Sequence, residues 1–288
     1  MGALLSVDLQ PMSITAADGA TLAAFTRAAT GDAPTVVLAH GWCLTHRAWL
    51  PVIEALPSAY GIVAYDQRGH GDSELGHGFL RGTGQETLRQ LGSDLEFVIS
   101  TAAPSGDLVL GGHSMGGMTL MAYAGGGGSL GRVRRVAFVA TAAGGLRGLG
   151  LPAEKQVWTA LAHVPFRMGP ATRADRVVPM LFGRGASQSA IDATLADIRR
   201  TRTCVMAGFI KAITEHDEYA VLPDFAAIPT TVLVGSKDKL TPPVLAQRIV
   251  KKLPSASLVE LDGKGHMLTY EATDDVVTAL TGLTLLKP

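Results

Sequence analysis

Six short apolar runs limit what this chain can fold into: TVVLAH (35–40), GIVAYD (61–66), DLVLGGH (107–113), RRVAFVAT (134–141), TTVLVGS (230–236) and ASLVELD (256–262). Each has a short apolar stretch with at least one β-branched residue and is bounded by glycine, proline or polar residues. A near-continuous apolar run of this length predicts a strand buried on both faces, as parallel sheets require. Segments with helical spacing lie around and between them, near 46–56, 84–102, 114–124, 242–253 and 271–281. In the second, Leu88, Leu91, Leu95, Val98 and Ile99 form one apolar stripe. Strands alternating with helices of this size predict an α/β fold built on a doubly wound, mostly parallel sheet. Upstream, alternation in LLSVDLQ (4–10) and ATLAAFTRA (20–28), around the turn Ala17-Asp18-Gly19, predicts a hairpin that adds antiparallel strands at one edge.

The alternation breaks between about 142 and 223. That stretch holds helix-like segments near 153–163, 173–182, 189–200 and 203–215, with no buried strand. Because TTVLVGS resumes the sheet, the expected organisation is a core of residues 1–141 and 224–288 with a helical cap, 142–223, inserted after the sixth strand region. The run Gly125–Gly128 predicts a surface turn that ends the helix before it. It is not a phosphate loop: no G-x-x-x-x-G-K-[ST] occurs, and no G-x-G-x-x-G follows a strand.

A chain of 288 residues can bury such a core. Its 25 basic residues balance 25 acidic ones, with no basic stripe, which argues against a nucleic-acid partner. No apolar stretch reaches ~18 residues, so no membrane span is expected. The N-terminus lacks the basic region and apolar run of a secretory signal, and Met1–Ser6 fits only the loose myristoylation pattern M-G-x-x-x-S. Cys43 and Cys204 match neither a disulfide framework nor a metal spacing, so a reducing, cytoplasmic setting is expected. The histidines lack H-x-x-x-H or C-x-x-C partners, so neither a metal nor a cofactor is implied.

The chemistry-bearing signal is Gly112-His113-Ser114-Met115-Gly116-Gly117, placed where DLVLGGH ends and a helix starts. A serine forced onto a tight strand-to-helix turn needs neighbours almost free of side chains, and its hydroxyl is lifted clear of the sheet. The unpaired N–H groups of the helix start then face developing negative charge. A serine hydroxyl is a weak nucleophile until a base takes its proton. Of His40, His46, His70, His77, His113, His163, His216 and His266, only His266 sits in a short loop directly after the last predicted strand. Loops at the C-terminal ends of parallel strands share one edge. Asp238, after TTVLVGS, lies at that edge too and would orient the imidazole. For the tetrahedral oxyanion, the expected donors are the N–H of Met115 and, from the loop after TVVLA, the N–H of Trp42. Gly41 lets that loop approach the substrate closely, and His40 is expected to fix the loop by hydrogen bonding.

These motifs together resemble the α/β-hydrolase fold superfamily over nearly the whole chain. His40-Gly41-Trp42 is similar to the oxyanion loop, Asp66–Ser73 to the turn after the next strand, and Gly112–Gly117 to the nucleophile elbow; Gly235–Asp238 and Gly265-His266 match the acid and base positions. The order Ser114, Asp238, His266 is that of this fold's triads. The resemblance implies that Asp66, Arg68, His70 and Asp72 are structural. It also implies a cofactor-free serine hydrolase acting on an ester, lactone, thioester or amide. Haloalkane dehalogenases and most epoxide hydrolases of the fold carry an aspartate where Ser114 stands.

Carbon–carbon bond hydrolases, perhydrolases, cofactor-free oxygenases and ligand-sensing members of the fold remain open alternatives; the first commonly show asparagine where His113 stands. The expected partner is a small molecule with an apolar acyl or alkyl group, handled by a monomer or homodimer. Trp42, Cys43 and Met115 are expected to wall the pocket. The cap residues Val157, Trp158, Leu161, Val164, Phe166, Met168, Met180, Leu181 and Phe182 are expected mostly to form the cap's own core, with some, Trp158 and Phe182 among them, lining the roof. Arg167, Arg173 and Arg176 read as a solvated face.

Overall fold

A computed structural model of the protein describes residues 8–76, 86–146, 154–164 and 174–283. The lipidation pattern at the N-terminus, His77, Phe166, Arg167, Met168 and Arg173 lie outside those residues. Eight strands form one sheet: β1 (Gln10–Thr15), β2 (Thr21–Arg27), β3 (Thr35–Ala39), β4 (Gly61–Tyr65), β5 (Leu108–His113), β6 (Val133–Val139), β7 (Thr230–Gly235) and β8 (Ser257–Leu261), in the spatial order β1-β2-β4-β3-β5-β6-β7-β8. β2 pairs antiparallel with both β1 and β4, and every pairing from β4 to β8 is parallel.

All six parallel runs read from the sequence are strands. In the opening hairpin the first strand spans Gln10–Thr15 in place of the expected run 4–10; residues 4–7 of that run lie outside the described residues. The turn explains why. Ala16 N–H donates to Ala20 O and Gly19 takes φ +82°, so Thr15 faces Thr21 and the paired residues must immediately precede the turn. Pro11 is tolerated because β1 is an edge strand, where a missing N–H leaves no ladder bond unmade inside the sheet.

Ten helices, counted among the described residues, accompany the sheet: α1 (Leu50–Ala55), α2 (Leu88–Ala102), α3 (Met115–Gly125), α4 (Glu154–Leu161), α5 (Ala174–Leu181), α6 (Gln188–Arg200), α7 (Thr203–Glu215), α8 (Pro243–Lys252), α9 (Leu268–Glu271) and α10 (Thr273–Thr281). The two-residue period of the strands divides their side chains between the faces. Val37, Leu110 and Phe138 pack with residues of α2, α3 and α8, whereas Val36, Leu38 and Val139 pack with α1 and α10. Helices thus cover both faces of a parallel sheet, and only the edge strands β1 and β8 are largely exposed.

Four helices, α4–α7, stand between β6 and β7. The apolar residues of α4 and α5 are less buried than expected: Val157 is 46% and Met180 38% exposed, and α5 buries no residue fully, whereas α7 buries Cys204, Val205, Phe209, Ile210 and Ile213. Arg176 is exposed, as expected. No helix among the described residues is long and apolar enough to cross a membrane.

Candidate active site

Parallel pairing in close register brings the strand ends level. Ala39 of β3 sits beside Gly112 of β5, His113 beside Val139 of β6, and Gly235 of β7 beside Leu261 of β8. The next residues in each chain direction are the 40–45 loop, Ser114, Asp238 and the 262–267 loop, so all four converge on one edge.

Ser114 is the residue between β5 and α3, with φ 53° and ψ −118°, a conformation that costs a side-chain-bearing residue about 1–3 kcal/mol. Its surroundings fix it there. Its N–H donates to Val139 O at 2.9 Å, and its carbonyl accepts from Gly117 N–H at 2.9 Å and Thr141 Oγ1 at 2.7 Å. The neighbouring glycines are sterically required. A Cβ on Gly112 would lie 2.6 Å from Gly116 O, one on Gly117 2.6 Å from Thr141 Cγ2, and one on Gly116 would overlap the Ala39 carbonyl.

Asp238 and His266 form a buried pair, Nδ1–H of the imidazole donating to Asp238 Oδ2 at 2.8 Å. The carboxylate has further donors: Leu240 N–H and Thr241 N–H on Oδ1, and the Thr241 hydroxyl on Oδ2 at 2.8 Å. Burial alone would raise this carboxyl; the charge and hydrogen bond of His266, with the Thr241 donors, outweigh it and hold Asp238 below the ordinary range. With its proton on Nδ1, the neutral imidazole keeps the Nε2 lone pair free. Among the described residues no hydrogen bond joins His266 Nε2 to the Ser114 hydroxyl, which is part-exposed on a single rotor.

Several residues that the sequence reading did not assign hold this geometry. His113 Nε2–H donates to the His266 carbonyl at 2.9 Å, and its ring centre lies 5.0 Å from that of His266. Burial lowers His113 to about 3, so it stays neutral. Glu271 accepts from the N–H groups of Gly183, Gly265 and Met267, and His266 N–H donates to Leu181 O, which pins the histidine loop to the end of α5. Only Thr241 had a readable signal: Asp238-x-x-Thr241 before Pro242-Pro243 has the spacing of a side-chain-capped turn.

The backbone N–H groups of Trp42 and Met115 have no acceptor among the described residues. His40 fixes this loop, donating from Nδ1 to Gly41 O at 2.7 Å and accepting Gln67 N–H on Nε2 at 2.8 Å; burial lowers it to about 3. A Cβ on Gly41 would stand 2.9 Å from His113 Nδ1, so the position is also sterically tight on the protein side.

Cys43 is buried with φ 61°, and burial pushes its thiol well up, which suits no nucleophile. Trp42 and Met115 pack in one cluster with Met118, Cys204 and Phe209, while Phe182 packs beside Leu44 and Met267. Trp158 is half-buried on α4, which packs along α7. Asp66, Arg68 and His70 are buried in structural bonds: Asp66 accepts from His46 and from Asp72 N–H, and Arg68 bridges Asp94 and Asp18.

Comparison with known proteins agrees with this architecture. The chain is 34% identical over 90 residues to 3-oxoadipate enol-lactonase 1 of Acinetobacter baylyi, a match spanning 31% of each chain. It is 25% identical over 260 residues to the pimeloyl-[acyl-carrier protein] methyl ester esterase of Xanthomonas campestris pv. campestris, covering 87% of this chain and 94% of that one. A solved structure of a thermophilic esterase from Thermogutta terrifontis superposes with TM-score 0.75 at 25% identity, over 95% of this chain and 97% of the other. The family model described as the alpha/beta hydrolase family matches residues 36–279, so the chain belongs to that family.

Proposed function

We propose that the protein is a serine hydrolase that cleaves a carboxylic ester or lactone through an acyl-enzyme. The observation that carries this reading is the strained Ser114 at a strand–helix turn, level with a buried Asp238–His266 pair. Relatives named as an enol-lactonase and a methyl ester esterase support it. When substrate binds, rotation of the Ser114 hydroxyl brings it to His266 Nε2; such bonds are commonly long until the Michaelis complex forms.

His266 takes the hydroxyl proton as Ser114 Oγ attacks the carbonyl carbon. The oxyanion is met by the N–H groups of Met115 and Trp42, and Asp238 stabilises the imidazolium. Collapse expels the alcohol, which receives the proton from His266, and water then releases the acid by the reverse sequence.

The helices of residues 142–223 act as a cap on a core of 1–141 and 224–288. An apolar acyl or alkyl group lies beneath them against Trp42, Cys43, Met115, Trp158 and Phe182. A fluorophosphonate probe tests the nucleophile. It is expected to label the wild type and to leave Ser114→Ala unlabelled; equal labelling of both would falsify the assignment. Repeated turnover of short-chain p-nitrophenyl esters separates an enzyme from a ligand sensor, which would stop after one cycle.

A further inference from the structure

The oxyanion loop is held from outside the sheet. Every residue from Trp42 to Thr45 contacts the helices inserted between β6 and β7. Trp42 Nε1–H donates to Met206 O on α7 at 3.2 Å. Thr201, which ends α6, donates from Oγ1 to Cys43 O at 3.3 Å. Leu44 packs with Phe182 and Ala190. Asp197 of α6 accepts both the N–H of Thr45, at 3.1 Å, and its hydroxyl, at 2.8 Å, on one oxygen.

The loop needs such restraint. Cys43 sits at φ 61°, a conformation that a residue with a Cβ keeps only where its surroundings over-determine it. The restraint also has an unusual source. Asp197 is 3% exposed, and a buried carboxylate is costly unless donors satisfy it. Its donors come from Thr45, three residues past the proposed oxyanion donor. Thr45 in turn caps the 3-10 turn His46–Trp49, accepting Arg47 N–H on its hydroxyl, so its orientation fixes where the loop ends.

We propose that Asp197, seconded by Thr201, is a positioning residue of the oxyanion hole: from α6 it holds residues 42–45 so that the Trp42 N–H stays aimed at the carbonyl oxygen above Ser114. The inserted helices are then part of the catalytic apparatus as well as a cover, because the hole is complete only while α6 is seated. This rests on the serine-hydrolase reading above.

The test uses the full chain with Asp197→Ala, Asp197→Asn and Thr45→Val, on a p-nitrophenyl ester and on a trifluoromethyl ketone that mimics the tetrahedral adduct. Active sites are counted by fluorophosphonate titration. Asp197→Ala is expected to lower kcat per titrated site by about 10–100-fold and to weaken the ketone by a similar factor, since donor alignment matters only once the oxyanion forms. KM should stay within about threefold, as expected for an interaction made only in the transition state. Asp197→Asn, which keeps an acceptor oxygen without the charge, should fall between.

Wild-type kcat per site and ketone affinity, with only a lowered Tm, would make Asp197 purely structural and overturn the proposal. Should Asp197→Ala not fold, Thr45→Val decides from the loop side, and an unchanged kcat there overturns it equally. Ser114→Ala is run alongside. If it still turns over, the serine-hydrolase reading fails; if it is inert while the Asp197 variants match wild type, only the present inference fails.

Discussion

Asp238, the proposed orienting acid, shows how much of a carboxyl group's behaviour is set by its neighbours. Four donors converge on its two oxygens, from Leu240, Thr241 twice, and His266, and these keep a buried carboxyl ionised. Its folded-state value is depressed. The stability it contributes is therefore present above the unfolded carboxyl value of about 3.9 and is lost as pH falls through the lower folded one. Near neutrality the charge is always available to His266. Asp238→Asn leaves the turn acceptors largely in place but turns an amide N–H toward the imidazole, which favours the wrong tautomer. It is expected to lower kcat on the order of 10³–10⁴-fold, and to lower Tm as well, since the charge it removes stabilises the fold. Steady-state kinetics with a p-nitrophenyl ester measure this, and a loss under tenfold would remove Asp238 from the triad reading.

At the scale of elements, what the sequence made legible follows burial. Strands β3 to β7 are buried on both faces, so their runs are continuously apolar and stand out. At the exposed edges the reading was less exact: β1 begins later than its apolar alternation suggested and tolerates Pro11, and β8, read as buried on both faces, buries no residue fully. The extents of α4 to α7 were readable from periodicity, yet the exposure of Val157 and Met180 was not. An apolar residue says nothing by itself about which neighbour covers it. In the candidate site, the placement of Ser114, Asp238 and His266 at one sheet edge was readable because motif and strand end coincide. Asp197 and Glu271 were not, because their partners lie far away in sequence or are backbone N–H groups with no residue signature.

Gly92, mid-helix in α2, is a case where local propensity misleads. Alanine there improves helix propensity by about 1 kcal/mol. Its Cβ, however, would stand 2.6 Å from the backbone of Ala122 and Tyr123, where α3 crosses. Overpacking costs about 1–3 kcal/mol and more against rigid backbone, so Gly92→Ala is expected to destabilise the protein by about 1–2 kcal/mol. Ser100→Ala, on an exposed position of the same helix, should stay within about 0.5 kcal/mol. Urea titration of both variants checks the pair, and a Gly92→Ala chain as stable as wild type would contradict the close crossing.

Over the whole molecule, burial of titratable groups near the candidate site and elsewhere makes folding sensitive to acid. His40, His70 and His113 are fully buried, and burial lowers them to about 3, 4 and 3. Each stays neutral in the folded chain, while in the unfolded chain it takes up a proton near pH 6.5. The unfolded state then binds more protons, so stability falls as pH drops below about 6.5, and the loss continues down to the folded values. Each histidine contributes a slope of about 1.4 kcal/mol per pH unit, and three give at most about 4 kcal/mol per unit. Asp94, Asp197 and Glu218 pull the other way, since burial raises each of them and the folded state gains protons there first. The net slope between pH 6 and 5 should therefore be positive but below that ceiling. Urea unfolding free energies at pH 7.5, 6.0, 5.5 and 5.0 measure it directly, and His70→Gln should remove about a third of the histidine part whatever it does to stability at pH 7.5. A free energy that is flat from pH 7.5 to 5.0 would mean that the three imidazoles are not held neutral. Activity lost on the acid side must accordingly be normalised to the folded fraction before any of it is assigned to the protonation of His266.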